Sequence, residues 1–178
     1  MRRGELLGLR WDDVDLVRGL VTVRNNLVRV GNELQLKSPK TEDSSRTLSL
    51  SGPMLSLLKL DKGAPVIQKN ALGKYYYDQG FVFALEDGSS FHPDTFTHAF
   101  ADFLKANNLK KIRLHDLRHT NATLLLSSGV AAKVVSNRLG HSNIGITLDL
   151  YSHVLRSMEE DAAETIDGIM FKKNSPKI

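Results

Sequence analysis

The chain has 178 residues, with 24 Lys and Arg against 20 Asp and Glu, a formal net charge of +4 and no cysteine. This length is typical of one globular domain, and the charged residues leave no apolar run long enough for a membrane-spanning helix. The absence of cysteine excludes a disulfide framework, a thiol nucleophile and a zinc site built on thiolates, which favours an intracellular or redox-indifferent protein.

The first fifty residues predict a short helix followed by a small sheet. Leucines and a tryptophan lie among charges over residues 6–11, which favours an amphipathic helix that ends near Asp12. Three Val- and Leu-rich runs then alternate with turn residues and predict a small three-stranded antiparallel sheet near the N-terminus, with Lys40 in or beside a loop. These runs cover residues 20–30, 33–37 and 46–50.

From Pro53 onward the pattern is mainly helical. Pro53 opens a predicted helix, and residues 81–85 predict a brief strand before the turn signal at 86–88. Five helical segments follow, separated by glycines, and cover residues 93–108, 115–129, 131–140, 146–154 and 157–170. We therefore expect an α+β fold that is mostly α, with one domain over residues 1–170 and a flexible tail at 171–178.

Positive charge is concentrated in residues 111–153. This part of the chain holds five Lys and Arg against two Asp and Glu, together with four of the six histidines. Such a cluster favours a polyanionic partner, although a solvated basic face with no further role has the same composition.

The densest group of chemically active side chains lies at residues 115–120. The i, i+3 spacing places His115 and Arg118 on one face at the start of a helix, where backbone N–H groups add partial positive charge. This arrangement favours an anion site. A capping His115 and an Arg118 paired with a carboxylate would explain the same spacing.

A metal site competes with the anion site. His115 and His119 have the i, i+4 spacing of metal-binding helices, and His141 and His153 would be further ligands. Two features count against zinc: Arg118 would lie beside the cation, and the glutamate of the HExxH motif is absent.

Four separate motifs resemble the catalytic domain of the tyrosine recombinases, the phage integrase family. The motifs are Arg2-Arg3-Gly4-Glu5-Leu6, then Pro39-Lys40-Thr41 followed by Ser45-Arg46, then HDLRHTNATLL at 115–125, and finally LGHSNI at 139–144 followed by YSHV at 151–154. They occur in the family's order. One motif alone would be weak, but four in order make the resemblance specific.

The resemblance implies a catalytic site of six residues: Arg2, Lys40, His115, Arg118, His141 and Tyr151. Transfer of a DNA phosphodiester passes through a pentacoordinate phosphorane with extra negative charge, which fixed cations must meet when no metal is used. Arg2 and Arg118 would clamp the scissile phosphate through paired N–H donors. Lys37 and Arg46, with Arg2, Lys40 and Arg118, would contact DNA phosphates, although Lys37, Lys40 and Arg46 could also be ordinary solvated charges.

In this assignment Tyr151 is the nucleophile and forms a covalent 3′-phosphotyrosyl ester, so neither ATP nor another cofactor is needed. Lys40 would protonate the leaving 5′ oxygen, His115 would assist loss of the phenolic proton, and His141 would hydrogen-bond the phosphate.

Alternatives to two of these residues stay open. Arg3 is adjacent to Arg2 and has the same chemistry. Tyr151 could instead be a core aromatic with its hydroxyl bonded to backbone. The tyrosines at 75–77 are rival nucleophiles, but their segment contains no histidine or arginine.

The implied function is that of a site-specific DNA recombinase (integrase) from a bacterial or phage mobile element, acting in the cytoplasm. Its partners would be double-stranded DNA at recombination sites, other protomers in a tetrameric synaptic complex and an accessory directionality factor, with no membrane involved. Two other classes remain: a noncatalytic DNA-binding fragment, and a metal-dependent nuclease built on the histidines.

The resemblance also implies that parts of the family's enzymes are absent here. Family members carry a core-binding domain and a further helix ahead of the first arginine, so we expect a truncated chain with weak or no recombination alone. The acidic amphipathic segment 157–170 either packs on its own domain or docks on a neighbouring protomer, as such segments do in the resembled family.

Overall fold

The computed structural model describes residues 1–38, 45–141 and 143–171, with backbone only for 153–161. Its helices are α1 (Arg3–Leu7), α2 (Gly52–Asp61), α3 (Ala64–Leu72), α4 (Pro93–Ala106), α5 (Leu114–Ser127), α6 (Ala132–Leu139), α7 (Ile144–Leu150) and α8 (Ser152–Phe171). Its strands are β1 (Val14–Asp15), β2 (Leu20–Val23), β3 (Asn26–Val30), β4 (Glu33–Lys37) and β5 (Arg46–Ser49). The chain divides into two compact units, Met1–Arg118 and His119–Ile178.

The first unit contains two small antiparallel sheets. Strand β2 lies between β1 and β5 in a three-stranded sheet, while β3 and β4 form a separate hairpin. The expected mostly α fold with a small antiparallel sheet is therefore confirmed, but its strands are divided differently. The predicted strand over 20–30 is two strands, because the chain leaves the first sheet at Arg24 and Asn25 and pairs again only within the hairpin. Gly31, with φ of +61°, allows the tight turn of that hairpin.

Two other expectations for the first unit are wrong. The first helix, predicted to end near Asp12, ends at Leu7, because Leu9 leaves the helix to join a core cluster with Val14, Val21 and Leu58. The segment 81–85 is no strand. It makes single antiparallel bridges, Arg10 with Phe81 and Ala84 with Ser90, because pairing with the chain around Leu9 ends after two backbone hydrogen bonds.

Helix α3 is an element that the sequence pattern did not predict. None of its residues is buried, so the segment has no periodic apolar face that packs on a core. Helix α2 begins with Pro53 in its first turn, as predicted, and buries Leu58.

The second unit is helical and forms its own core. Ala122 and Leu126 from α5 pack against Val135 and Leu139 from α6 and against Tyr151. The helix predicted over 146–154 is interrupted, because α7 ends at Leu150 and α8 begins at Ser152. Phe171 is the last described residue, and the rest of the predicted tail, 172–178, lies outside the described residues.

Within the part of the chain that the structure describes, none of the helices has both the length and the apolar character needed to cross a bilayer.

The core of the second unit can be tested with two leucines of the same helix. Leu126 is 0% exposed and Leu124 is 61% exposed. We expect Leu126→Ala to lower the free energy of unfolding by roughly 2–5 kcal/mol, because it removes buried apolar contacts and leaves a cavity. Leu124→Ala is the matched control and should stay within about 0.5 kcal/mol of wild type in urea unfolding. Equal losses in the two variants would contradict the packing described.

Candidate active site

Arg2 lies immediately before α1 and is held by a carboxylate of the same helix. Glu5 Oε1 accepts a hydrogen bond from Arg2 Nη1 at 3.0 Å, and Glu5 Oε2 accepts one from the Arg2 backbone N–H at 2.7 Å. The Arg2 side chain is nevertheless 50% exposed. Its guanidinium is thus oriented from one side and accessible from the other.

Glu5 also binds Arg46 of strand β5. Arg46 Nη2 donates to Glu5 Oε2 at 2.6 Å, and Arg46 Nη1 donates to Oε1 at 3.1 Å. The side chains of Glu5 and Arg46 are only 8% and 14% exposed, so this is a largely buried, bidentate ion pair. Arg46 was expected to contact DNA, and the structure places its guanidinium against Glu5.

The surroundings of Glu5 change its acidity in two opposing ways. Burial raises the pKa of the carboxyl, but the hydrogen bonds from Arg46 and from the Arg2 backbone, with the charges of both arginines, lower it to about 2. Glu5 therefore remains ionised throughout the range in which proteins normally function.

Arg3, the alternative to Arg2, is engaged elsewhere. Its Nη1 donates to the carbonyl of Pro93 at 3.2 Å and to Thr97 Oγ1 at 2.8 Å, both in α4. It also lies 3.5 Å from a carboxylate oxygen of Asp94. These contacts make Arg3 a link between α1 and α4 and favour Arg2 as the residue available to a ligand.

The two predicted lysines lie at the end of β4 and beyond it. Lys37 is exposed at the last position of the strand. Lys40 lies outside the described residues, so its role stays a prediction.

His115 and Arg118 lie in the first turns of α5, on the shared face that their spacing predicted. His115 is exposed, whereas Arg118 is 8% exposed. The start of the helix is fixed by Asp116, which accepts hydrogen bonds from the backbone N–H of Arg113 at 2.8 Å and from its guanidinium. Asp116 therefore caps α5.

His141 directly follows α6, after a backbone turn that Gly140 allows. Gly140 ends the helix with φ of +69° and ψ of +45°, a left-handed conformation, and the His141 backbone N–H then donates to the carbonyl of Ser136 at 3.1 Å. The His141 Nδ1 atom lies 2.8 Å from Oγ1 of Thr147, which is completely buried. This contact fixes the orientation of the ring.

Tyr151 occupies the junction between α7 and α8. Its backbone N–H donates to the carbonyl of Thr147 at 3.1 Å, and its ring packs in the core of the second unit. The hydroxyl lies 2.9 Å from Nδ1 of His119. Tyr151 and His141 are thus both attached to Thr147, one through the backbone and one through the side chain.

The rival tyrosines lie in a different setting. Tyr75 and Tyr77 are exposed, and the Lys74 ammonium lies 5.2 Å from the centre of the Tyr75 ring. Tyr75 ends a short 3-10 turn, Gly73–Tyr75.

The metal alternative receives no geometric support in the described residues. Among them, no three His, Asp or Glu side chains come close enough together to hold a metal ion. The side chain of His153 is not among those described.

Sequence reasoning missed three residues of this site. Glu5 lies within the first recognised motif and Thr147 lies between LGHSNI and YSHV, and each of them holds a neighbouring side chain. His119 was considered only as a metal ligand. The one signal for Glu5 was its i+3 distance from Arg2, which is the spacing of a helix-capping pair.

The comparisons with known proteins agree with one another. The model of the phage integrase family matches residues 1–158. The ICEBs1 integrase of Bacillus subtilis (strain 168) is 30% identical over 170 residues, which are 96% of this chain and 46% of that protein. A protein of Caldanaerobacter subterraneus subsp. tengcongensis described as tyrosine recombinase XerC-like is 32% identical over 181 residues, covering 95% of this chain and 46% of its own.

Solved structures have the same fold. The Tn1549 transposon integrase in complex with transposon right end DNA superposes with a TM-score of 0.75 at 24% identity, over 92% of this chain and 55% of that one. The XerA recombinase superposes with a TM-score of 0.62 at 25% identity, over 99% of this chain and 54% of that one.

The chain therefore belongs to the phage integrase family, whose members are tyrosine recombinases. It spans about half the length of the curated relatives that it matches, 46% in both cases given above.

The ion pair of Glu5 makes stability depend on pH. Because folding lowers the pKa of Glu5 from 4.5 to about 2, its contribution is present above pH 4.5 and is lost as the pH falls toward 2. We expect Glu5→Gln to lower the free energy of unfolding by roughly 3 kcal/mol at neutral pH, measured by urea denaturation.

The difference between wild type and Glu5→Gln should shrink as the pH is lowered through this window. Glu33→Gln, which removes an exposed carboxylate from β4, is the control and should show almost no difference at any pH. A Glu5→Gln difference that does not change with pH would show that the carboxylate charge is not what stabilises this region.

Proposed function

We propose that residues 1–170 form the catalytic part of a site-specific DNA recombinase that cleaves and rejoins strands through a 3′-phosphotyrosyl intermediate, without metal or ATP. The observation that carries the proposal is the placement of Tyr151. Its backbone is bonded to Thr147, and the Thr147 side chain in turn holds His141. One buried threonine thus fixes both the candidate nucleophile and a candidate phosphate ligand.

The charge around Arg2 supports binding of a phosphate. Arg2 and Arg46 carry two positive charges, and Glu5 carries one negative charge, so the cluster retains one net positive charge. Because the Arg2 guanidinium is already oriented, it would meet the charge that develops on the phosphorane with little reorganisation.

The buried Arg118 and the exposed His115 would supply further contacts to the same phosphate from α5. A guanidinium keeps its proton and can bind two non-bridging oxygens at once, so replacement of Arg118 by lysine would weaken this contact.

The proposed cleavage exchanges one ester for another. The Tyr151 hydroxyl gives its proton to an imidazole, and its oxygen forms a bond to phosphorus. The bond from phosphorus to the 5′ oxygen breaks, and Lys40 gives a proton to the departing oxygen. The strand is rejoined when a DNA 5′ hydroxyl attacks the phosphotyrosine. The free energy of the phosphodiester is conserved in the intermediate, so no nucleotide cofactor is consumed.

The proposed partner is double-stranded DNA at a recombination site in the bacterial cytoplasm. The Tn1549 integrase is solved with its own transposon end DNA, which supports DNA as the ligand of this chain. Exposed Lys37 suits a phosphate contact beside the site, whereas the ion pair of Arg46 with Glu5 suits a structural role. We further propose a synaptic tetramer and an accessory directionality factor.

Tyr151→Phe tests the nucleophile. The assay uses a library of nicked duplexes with randomised sequence, in which loss of a short fragment after cleavage prevents rejoining, so that even a slow enzyme accumulates adduct. We expect wild type to form an SDS-resistant adduct and Tyr151→Phe to form none, with DNA affinity retained. Tyr77→Phe, at an exposed tyrosine, is the control and should behave as wild type.

Other outcomes identify the competing functions. Binding without adduct in wild type would indicate a noncatalytic DNA-binding fragment. Cleavage that EDTA abolishes and that leaves free 3′ ends would indicate a metal-dependent nuclease. An adduct formed by Tyr151→Phe would contradict the assignment of the nucleophile.

Helix α8 is the proposed contact between protomers. Ile166, Ile169, Met170 and Phe171 are all exposed near its end. Exposed apolar side chains grouped within one helical turn or two are typical of a surface that another protein covers. We propose that this surface docks on a second copy of the chain in the DNA complex.

The docking of α8 can be separated from catalysis. We expect Ile169→Ser, or deletion of residues 156–178, to reduce the yield of multi-protomer DNA complexes in mass photometry more than it reduces adduct formation on a single site. Asp167→Asn, at an exposed acidic residue of the same helix, is the control. Equal loss of assembly and of single-site cleavage would argue that α8 packs on its own domain.

A further inference from the structure

We propose that His119, which is not among the six residues assigned above, accepts the phenolic proton of Tyr151 during strand cleavage, the role that the sequence had suggested for His115. This inference rests on the proposed function, because it concerns the same nucleophile.

The two side chains are in direct contact within the second unit. The Tyr151 hydroxyl lies 2.9 Å from His119 Nδ1, and the two rings are tilted by 52° with their centres 6.0 Å apart. Both residues are anchored. His119 is part of helix α5, and Tyr151 is held by its backbone bond to Thr147 and by the apolar residues around its ring.

The position of Tyr151 makes a nearby proton acceptor necessary. Tyr151 is only 3% exposed, so few water molecules can reach its oxygen. The phenol must lose its proton as its oxygen attacks phosphorus. An imidazole already bonded to that oxygen is the acceptor best suited to reaction near neutral pH.

Of the other candidate histidines, His141 makes a different contact. His141 uses its Nδ1 atom for the contact with Thr147 and would direct Nε2 at the phosphate. His115 lies exposed in the first turn of α5. His119 is partly exposed, so a proton accepted by its ring can pass on to solvent.

The proton transfer is balanced within the reaction. The Tyr151 hydroxyl donates to Nδ1 of a neutral His119 that carries its proton on Nε2. As the bond from the tyrosine oxygen to phosphorus forms, the hydroxyl proton moves to Nδ1, the bond from phosphorus to the 5′ oxygen breaks, and that oxygen takes its proton from Lys40. Rejoining reverses the transfer, and the imidazolium returns its proton to the departing tyrosine oxygen.

His119→Asn is the informative variant, because an asparagine amide can hydrogen-bond the hydroxyl from near the Nδ1 position but cannot take its proton. At saturating DNA we expect single-turnover adduct formation to slow by roughly 100-fold, with the dissociation constant for DNA within about twofold of wild type. His98→Asn, at an exposed histidine of α4, is the matched control and should cleave at the wild-type rate.

A tyrosine analogue with a more acidic phenol distinguishes a role of His119 in proton transfer from a role in positioning the Tyr151 ring. With 3,5-difluorotyrosine at position 151 the phenol ionises more readily, so the rate difference between wild type and His119→Asn should shrink. An undiminished difference would show that His119 only positions the ring. A wild-type or faster rate for His119→Asn would contradict the proposal. A faster rate would show that the contact with His119 holds Tyr151 back from attack.

A second measurement does not depend on activity. Nitrogen-15 NMR of the imidazoles should show His119 Nδ1 without a proton and Nε2 with one, and Tyr151→Phe should shift the Nδ1 resonance. A neutral His119 protonated on Nδ1 would overturn the proposal whatever the rates. Failure of wild type to form any adduct would instead overturn the proposed function, which distinguishes the two results.

Discussion

The carboxylate of Glu5 is a buried charge whose partners belong to two different parts of the first unit. It joins α1 to β5 through Arg46 and, with its other contacts, fixes the backbone and the guanidinium of Arg2. A five-residue helix cannot form stably without tertiary contacts, and a buried carboxylate is costly without cationic partners. The placement of Arg2 therefore depends on this one ion pair. The arginine that would bind phosphate is positioned by a residue that would never contact it.

The second unit holds the proposed nucleophile, Tyr151, in a buried position. Tyr151 lies where two helices meet, so its ring completes an apolar core while its hydroxyl reaches an imidazole. Thr147 connects that junction to His141, because its carbonyl and its hydroxyl face the two residues separately. Packing and the proposed chemistry therefore depend on the same few side chains, and a substitution at Tyr151 or Thr147 would disturb both.

The sequence predicted the parts that depend on residue type and local signals. The later helices followed from proline and glycine positions, and the candidate cations and Tyr151 followed from motifs whose chemistry is distinctive. The rest depends on tertiary contacts. Asn25 and Asn26 are a turn signal between β2 and β3, but nothing local shows that the two strands belong to different sheets or that the helical pattern is interrupted at Tyr151. The pairing at Phe81 is limited to one bridge with Arg10, which the local pattern of residues 81–85 does not show. The contacts of Glu5 and His119 join residues 41 and 32 positions apart, respectively, which no spacing rule relates.

The central claim is that this chain attaches itself to DNA through Tyr151. The most direct test is to let the protein react with a nicked duplex, trim the DNA with nuclease, digest with trypsin and identify by mass spectrometry the peptide that carries the nucleotide remnant. The account predicts the modification on the peptide 139–156, at Tyr151. A nucleotide remnant on the peptide that contains Tyr75, Tyr76 and Tyr77, or on a residue other than tyrosine, would contradict it.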